Sequence, residues 1–465
     1  MGYILRIIVL FFFGIVILTG CRSSAEIPNT KTTESKKEAE SENSMDPIST
    51  SNEIETEEAV CSEPVGEGME ADAFLNGDEY WEWLQSYLEK TDVSENIQDG
   101  MDQYYENVLK ELLGKKSDGN TICSPLNIYV ALSMLAEASG GNTRKQILDV
   151  LQVKDVEQLR GRIQVLWDAN YVDTPALKSL LANSMWLRND ISYREDTLKR
   201  LAGEYHASSY RGVMGSDEMN ELLRKWTDEH TGGLLTEYTK DMELSPETVL
   251  ALVSTIYYKA AWADQFQKDQ TNTEVFHGIS GDQQVSMMHM DQMMSFYQAE
   301  QFEAVSIGLN DSGMMYFFLP EKGTDVKEIV ASPDVIRIIR RPDETDCSYP
   351  IVHLSVPKFK VSERTDLVEH LISLGITDVM NPDVADFTPL TDEVKKIRLS
   401  GAEHTAMVEI DEDGVTGAAY TALLTEGAAM LKAEEVDLIL DRPFYFAVTA
   451  KDNSILFAGI VQTIE

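Results

Sequence analysis

Five continuous apolar runs in the second half of the chain restrict most strongly what it can fold into. Each has a strand's length and is rich in β-branched and aromatic residues. They cover residues 252–258, 314–319, 351–356, 444–449 and 455–461. Runs without polar alternation are typical of strands that are covered on both faces. The last two flank a turn-forming AKDNS sequence, which predicts a hairpin.

Helical patterns concentrate in the first half. Apolar residues at helical spacing from Met101 to Leu113 predict an amphipathic helix that ends at Gly114. Ser124 and Pro125 then have the residue types of a helix cap and a first helical position. The helix that follows is apolar on nearly every side, so it should lie inside the domain. Helices followed by strands predict an α+β fold.

The first residues have the pattern of an export signal. Arg6 precedes an apolar run over residues 7–18, which is too short to span a membrane as a mature helix. The run ends in LTGC, which resembles a bacterial lipobox and implies that Cys21 is lipidated; an ordinary signal peptide with a chance cysteine is the alternative. Residues 1–20 are therefore expected to lie outside the fold. The mature protein is expected to be exported, anchored to the bacterial membrane by lipid, and exposed to the extracellular space.

Composition divides the rest of the chain. Residues 22–70 carry 13 acidic and 4 basic side chains and no aromatic one, so we expect 21–70 to form a disordered tether. Cys61 within it is expected to be unpaired. Aromatic residues at helical spacing in 71–99 predict a helical extension that either docks on the main domain or forms an adhesive patch. Residues 100–465 are expected to form the globular domain.

Composition also excludes several functions. The chain has 79 Asp and Glu against 39 Lys and Arg, a net charge of −40, which disfavours binding to nucleic acid. Its four cysteines are far apart and indicate neither a zinc site nor a disulfide framework. No HExxH, GxSxG or phosphate-binding glycine loop occurs, so we expect no metal, no cofactor and no enzymatic activity. His353 and His404 have strand-like contexts, which favour satisfied core imidazoles over ligands.

The order and spacing of several motifs resemble the serpin family along nearly all of residues 100–465. The motifs are NTICSP at 120–125, LSMLAEASGGNT at 132–143, LANSMW at 181–186, TGGLL at 231–235, LVSTIYYKAAW at 252–262, FFLP at 317–320, VPKF at 356–359 and RPFYF at 442–446. The resemblance implies the serpin fold, with helices around a large central sheet and an exposed reactive-centre loop.

The resemblance assigns the loop hinge to a segment of small residues. The hinge would comprise Glu412, Gly414, Val415, Thr416, Gly417, Ala418 and Ala419. If the loop inserts into the central sheet as a strand, alternate residues face the core. Val415, Gly417, Ala419 and Thr421 would face inward, and the bulky Tyr420 outward.

The family's spacing from Glu412 places the scissile bond at Ala428-Ala429, whereas counting back from Pro443 points toward Lys432; Met430 and Leu431 are further alternatives. Ala428 implies elastase-like or subtilisin-like targets, and Lys432 trypsin-like ones. The resemblance implies a monomeric suicide inhibitor of serine or cysteine proteases, which traps them as acyl-enzymes. A non-inhibitory binding lipoprotein and an adhesin are the alternatives.

Family positions also imply two residue clusters that control the central sheet. Ser124, Asn127, Ser254 and His404 match a cluster that holds the sheet shut, which we call the shutter. Asn127 and Ser254 carry exchanged residue types relative to the family, and we hypothesise that the exchange preserves hydrogen bonds to His404. Trp262 and Lys358 match a second cluster, the breach, where Lys358 would pair with Glu412.

Overall fold

The computed structural model describes residues 5–12, 54–59, 61–98, 100–115, 118–330, 332–415 and 434–464. Cys21, the hinge residues 416–419 and the candidate scissile residues 428–432 lie outside these ranges.

Helices occupy mainly the first half of the described chain, as the sequence predicts. They are α1 (Ala71–Leu75), α2 (Asp78–Gln98), α3 (Asp102–Leu113), α4 (Pro125–Ala138), α5 (Gly141–Val150), α6 (Val156–Asn170), α7 (Glu195–Glu204), α8 (Asp217–His230), α9 (Thr236–Thr239), α10 (Val326–Val330), α11 (Pro333–Arg340) and α12 (Val368–Ser373). In the described part of the chain, no helix combines the length and the apolar character needed to cross a bilayer.

Strands occur throughout the chain and become dense after residue 247. They are β1 (Leu5–Phe12), β2 (Glu55–Glu57), β3 (Thr121–Cys123), β4 (Val172–Asp173), β5 (Leu177–Arg188), β6 (Ala207–Gly212), β7 (Thr248–Ala261), β8 (Asn272–Gly278), β9 (Gly281–Met293), β10 (Phe296–Gln298), β11 (Phe302–Gly308), β12 (Met314–Pro320), β13 (Ile351–Pro357), β14 (Phe359–Asp366), β15 (Ile397–Ile410), β16 (Gly414–Val415), β17 (Glu435–Ile439), β18 (Phe444–Thr449) and β19 (Ile455–Val461).

Three sheets form among the described residues. In the largest, sheet A, β14 pairs with β15 at one side, while β7, β5, β6 and β2 follow one another at the other. Sheet B has the order β10-β11-β12-β18-β19-β3, and sheet C the order β17-β13-β9-β8. The predicted hairpin is present, because β18 and β19 pair antiparallel across residues 450–454. The α+β prediction is confirmed.

Helix α4 forms the centre of the domain. Every one of its residues is buried, and it packs against β7 of sheet A and β19 of sheet B. Pro125 is its first residue and Ser124 its cap position, as predicted, but the Ser124 hydroxyl makes no capping hydrogen bond. A helix covered on all sides needs an apolar circumference, which the sequence supplies.

The amino-terminal segment differs from the expectation that residues 1–20 lie outside the fold. Strand β1 pairs in parallel with both β15 and β7. Arg6 lies opposite Thr248 on β7, and Phe11 lies opposite His404 on β15. It thus lies between the two strands at the middle of sheet A. An extended segment in this place satisfies the backbone N–H and C=O groups of the two strand edges that face it.

The segment 54–59 also differs from the disordered tether expected over residues 21–70. Strand β2 pairs with β6 and extends the edge of sheet A, although its side chains are exposed. Edge pairing needs only backbone hydrogen bonds, so a low apolar content does not prevent it. Helix α2 docks against α6. Its Ser94 Oγ also donates a 2.5 Å hydrogen bond to the buried carboxylate of Asp452, in the turn between β18 and β19. This decides between the two interpretations of the aromatic extension in favour of docking.

Candidate functional site at the opening of sheet A

The start of the predicted loop folds back into sheet A. After β15 ends at Ile410, the Asp411 carboxylate accepts hydrogen bonds from the backbone N–H groups of Asp413 (2.9 Å) and Gly414 (3.2 Å). This turn directs β16 between β15 and β7. Val415 lies opposite Ile410 on one side and Ala260 on the other, antiparallel to both. Two of the hinge residues, Gly414 and Val415, are therefore already members of the sheet.

Close packing explains the residue types at this position. A Cβ atom at Gly414 would lie 2.3 Å from the carbonyl oxygen of Ala260, so only glycine fits without moving the backbone. Val415 is fully buried. The other hinge residues, Thr416, Gly417, Ala418 and Ala419, lie outside the described residues.

The breach residues anchor the base of this turn. The Trp262 indole N–H donates to the carbonyl oxygen of Asp411 at 2.8 Å. The Glu412 carboxylate forms an ion pair with Lys358 Nζ at 2.5 Å and accepts a hydrogen bond from Thr271 Oγ1 at 2.7 Å. Burial alone would raise the pKa of Glu412, but the hydrogen bonds from Lys358 and Thr271 outweigh it and hold the pKa below its usual value. The predicted neighbours Lys358 and Glu412 thus meet, and Thr271 is a partner that sequence reasoning missed.

The four shutter residues also meet, halfway along sheet A beneath the start of α4. His404 on β15 accepts the backbone N–H of Ser124 at Nε2 (2.9 Å), and the Asn127 side-chain amide donates to the Ser254 carbonyl oxygen (3.2 Å). Burial lowers the pKa of His404 to about 3, so the imidazole is neutral and accepts at Nε2.

The shutter hypothesis needs a correction. Asn127 bonds to the main chain of β7, and its own carbonyl oxygen has no hydrogen-bond partner among the described residues. The exchanged residue types therefore do not preserve a hydrogen bond from Asn127 to His404. The N–H of a residue before a helix has no partner within the helix, so that of Ser124 is available to the imidazole. The shutter ties α4 to β15 and to β7 by separate bonds.

A second residue at this site was also not predicted. Tyr238, on α9 after the helix α8 that packs on β7, shares a 2.9 Å hydrogen bond with the hydroxyl of Ser362. Ser362 belongs to β14, which lies on the far side of β15. This contact therefore bridges the two halves of sheet A. No sequence signal marks a tyrosine whose partner is 124 residues away.

Comparisons with known proteins agree on one family. The family model described as serpin (serine protease inhibitor) matches residues 101–464. Serpin-ZX of Arabidopsis thaliana is 25% identical over 80% of this chain and 98% of its own length. A protein named serine protease inhibitor from Cyanea capillata is 27% identical over 74% of this chain and 92% of its own length.

Solved structures agree in fold. The native-state structure of the thermophilic serpin tengpin has a TM-score of 0.70 and 23% identity, and the match covers 78% of this chain and 93% of that one. At this level of identity the likeness concerns the fold alone.

Proposed function

Because this chain belongs to the serpin family, which consists generally of protease inhibitors rather than enzymes, we propose that it is an inhibitory member. It presents the loop after Val415 as bait to a serine or cysteine protease. After the enzyme has cut the loop and is still bound as an acyl-enzyme, the loop inserts into sheet A and carries the enzyme with it.

The position of β16 is the observation that carries this proposal. Val415 pairs with Ala260 in an antiparallel register, so each following loop residue would pair one position earlier on β7. Twelve steps from Ala260 reach Thr248, the first residue of β7, and twelve steps from Val415 reach Gly427. The same register on β15 would place Gly427 of an inserted loop opposite Arg398, next to the first residue of that strand. The place for a full-length strand therefore exists on both sides.

This register supports Ala428-Ala429 as the scissile bond. After a cut there, the last residue of the inserted part would lie opposite the first residues of β7 and β15. At ~3.3 Å per residue, twelve residues carry the cut end about 40 Å along the sheet. The alternatives Met430, Leu431 and Lys432 would leave a tail beyond the sheet and a slacker connection to the trapped enzyme. A cut after alanine favours elastase-like or subtilisin-like targets.

Strand β1 occupies part of the same place. Arg6 and Phe11 lie opposite Thr248 and His404, where the continued register would put Gly427 and Thr421. Strand β1 and a fully inserted loop therefore exclude each other. Our proposal includes removal of residues 1–20 on export, with lipidation of Cys21, which would vacate the acceptor position and anchor the inhibitor at the membrane.

A covalent-complex assay tests inhibition. The exported protein, from which residues 1–20 have been removed, is incubated with elastase, subtilisin and trypsin, and the mixtures are separated on a denaturing gel. We expect an SDS-stable complex with at least one of them, and mass spectrometry of the released carboxyl-terminal fragment identifies the cut residue. Nicking of the loop without a stable complex with any protease would favour a carrier of serpin fold.

A matched pair of variants separates insertion from protease recognition. Ala419→Glu places a charge at an inward position, whereas Ala418→Glu places the same charge on the outward face next to it. We expect Ala419→Glu to become a substrate that is cut without trapping, while Ala418→Glu still forms the complex. Equal trapping by both variants would contradict insertion in this register.

Anchoring has a separate test. Metabolic labelling with a palmitate analogue should mark the wild-type protein expressed in a bacterial host, and Cys21→Ser should abolish the label. The variant Cys61→Ser is the control and should keep it. Labelling that persists in Cys21→Ser would contradict lipidation at this residue.

A further inference from the structure

Helix α2 of the amino-terminal extension turns one face toward the domain. Tyr87, Thr91 and Ser94 are buried there, and the Trp83 ring stacks on the Tyr87 ring with centroids 5.1 Å apart. Residues three or four positions apart share one face of a helix. These four residues therefore form the docked face of α2.

A second row of apolar side chains on α2 stays in contact with solvent. Trp81 is 63% and Leu88 39% exposed, and Leu84 between them is half-buried. The three residues occupy positions i, i+3 and i+7, so they form a continuous apolar stripe beside the docked face. No other large apolar side chain in the described part of the chain is more exposed than Trp81. A contiguous apolar surface left in water is typical of an interaction site.

The exposed indole of Trp81 is held in a defined position. Its ring contacts the Tyr80 ring edge-on, with centroids 5.1 Å apart. The Tyr80 hydroxyl in turn donates a 2.8 Å hydrogen bond to the Asp311 carboxylate, in the turn between β11 and β12. Because Tyr80 is fixed to the domain, Trp81 has little conformational freedom to lose when it contacts a partner. A preorganised tryptophan has the properties of the residues that dominate binding energy at protein interfaces.

Acidic residues follow the stripe on the side away from the docked face. They recur at positions i, i+4, i+11 and i+14 and are all exposed: Asp78, Glu82, Glu89 and Asp92. This acidic row extends over about 21 Å of helix. The single basic residue of α2, Lys90, is nine positions after Trp81 and therefore lies on the opposite side of the helix.

The charge beside the stripe decides among its possible occupants. A second copy would bring the same acidic row close to this one, and an anionic lipid surface would also be repelled. The chain's own residues 22–53 carry seven acidic and four basic side chains, so they too are repelled. A cationic partner with an apolar face gains twice, because it covers the stripe and pairs with the acidic row.

We propose that α2 is a docking site for a cationic amphipathic helix. The apolar face of that helix packs on Trp81, Leu84 and Leu88, and its Lys or Arg side chains lie along the acidic row. Spacing of i, i+3 and i+7 is the pattern by which one helix presents anchors to an apolar partner surface. The proposal does not depend on insertion of the loop.

A model helix tests the site on the full chain. The probe is a dye-labelled peptide of leucine and lysine with every leucine on one helical face, and binding is followed by fluorescence anisotropy. The control peptide has the same composition in an order that forms no apolar face. We expect the amphipathic peptide to bind about tenfold more tightly than the control peptide. Its affinity should fall as salt is raised above about 0.1 M, where the Debye length is about 10 Å.

Matched variants locate the binding on α2. Trp81→Ala should weaken binding about tenfold or more, as expected for a tryptophan anchor. Tyr349→Ala removes a similarly exposed aromatic ring outside the extension and should leave the affinity unchanged. Glu82→Lys should weaken binding about fivefold, whereas Glu369→Lys, the same charge change at an exposed position on α12, should have little effect. Thermal unfolding of each variant verifies that it is folded.

Several results would overturn the proposal. If the amphipathic peptide does not bind, binds Trp81→Ala as tightly as wild type, or binds no better than the control peptide, the stripe is not its site. Self-association of the wild-type chain that Trp81→Ala abolishes would assign the stripe to a second copy instead. Binding to vesicles of anionic phospholipid that Trp81→Ala abolishes would assign it to a membrane.

Discussion

Tyr238 and Ser362 share a hydrogen bond that joins the two sides along which sheet A must open. Tyr238 belongs to the segment that packs on β7, and Ser362 lies on β14 beyond β15. In this structure β1 and β16 already lie between β15 and β7, one toward each end of these strands, and the bond is present beside them. It therefore does not require β15 and β7 to be adjacent.

This contact predicts the behaviour of Tyr238→Phe. Loss of one hydrogen bond should lower the stability of the intact form by about 1 kcal/mol. Thermal unfolding measures this loss. Tyr349→Phe, an exposed tyrosine on the segment before β13, is the control and should leave the melting temperature unchanged. A melting temperature of Tyr238→Phe equal to that of wild type would contradict this contribution.

The anchor at Glu412 predicts loss of the closed hinge in acid. The pKa of Glu412 is lowered, so its contribution is present above the unfolded value near 4.3 and is lost as the pH falls through the folded value. Protection factors of the Gly414 and Val415 amides, corrected for intrinsic exchange, should therefore fall as the pH drops below the unfolded value and through the folded one. In Glu412→Gln the lower protection should already be present at pH 7. Glu409→Gln, at a half-exposed position on β15, serves as the control. Similar protection in Glu412→Gln and wild type at pH 7 would contradict the anchoring role.

The extension 54–98 predicts a stability effect far from the loop. Ser94→Ala removes a hydrogen bond to the buried carboxylate of Asp452, which should cost about 1.5–3 kcal/mol because the acceptor is charged. Urea denaturation measures the loss. Ser86→Ala, at an exposed position on the same helix, should have little effect. An effect no larger than that of Ser86→Ala would mean that α2 is only loosely attached.

Sequence patterns predicted the parts of the fold that depend on apolar periodicity. The buried runs at 444–449 and 455–461 coincide with β18 and β19, and the run at 252–258 lies within β7. Strand β9 was not predicted, because polar and apolar residues alternate irregularly along it and only some of its side chains are buried. The edge strand β2 was missed for a similar reason, since its three side chains are all exposed.

The candidate site was predictable where the family resemblance supplied positions. Lys358 and Glu412 meet, and the shutter residues converge. Their bonding was less predictable, because His404 pairs with a backbone N–H, which every residue type except proline provides. Tyr238 was beyond sequence reasoning, since its partner Ser362 lies on a distant strand. His353, whose strand-like context predicted a core imidazole, is instead 40% exposed beside Asp291. Register and tertiary packing set those partners, and neither leaves a local pattern.

The most direct test of loop insertion compares thermal unfolding before and after a cut within residues 416–433. The loop is cut with elastase or subtilisin in protein that lacks residues 1–20, and unfolding is followed by circular dichroism for wild type, Ala418→Glu and Ala419→Glu. The account predicts a large increase in melting temperature on cutting for wild type and Ala418→Glu, and little or none for Ala419→Glu. A melting temperature that does not rise when the wild-type loop is cut would contradict the central claim that sheet A accepts the loop as a strand.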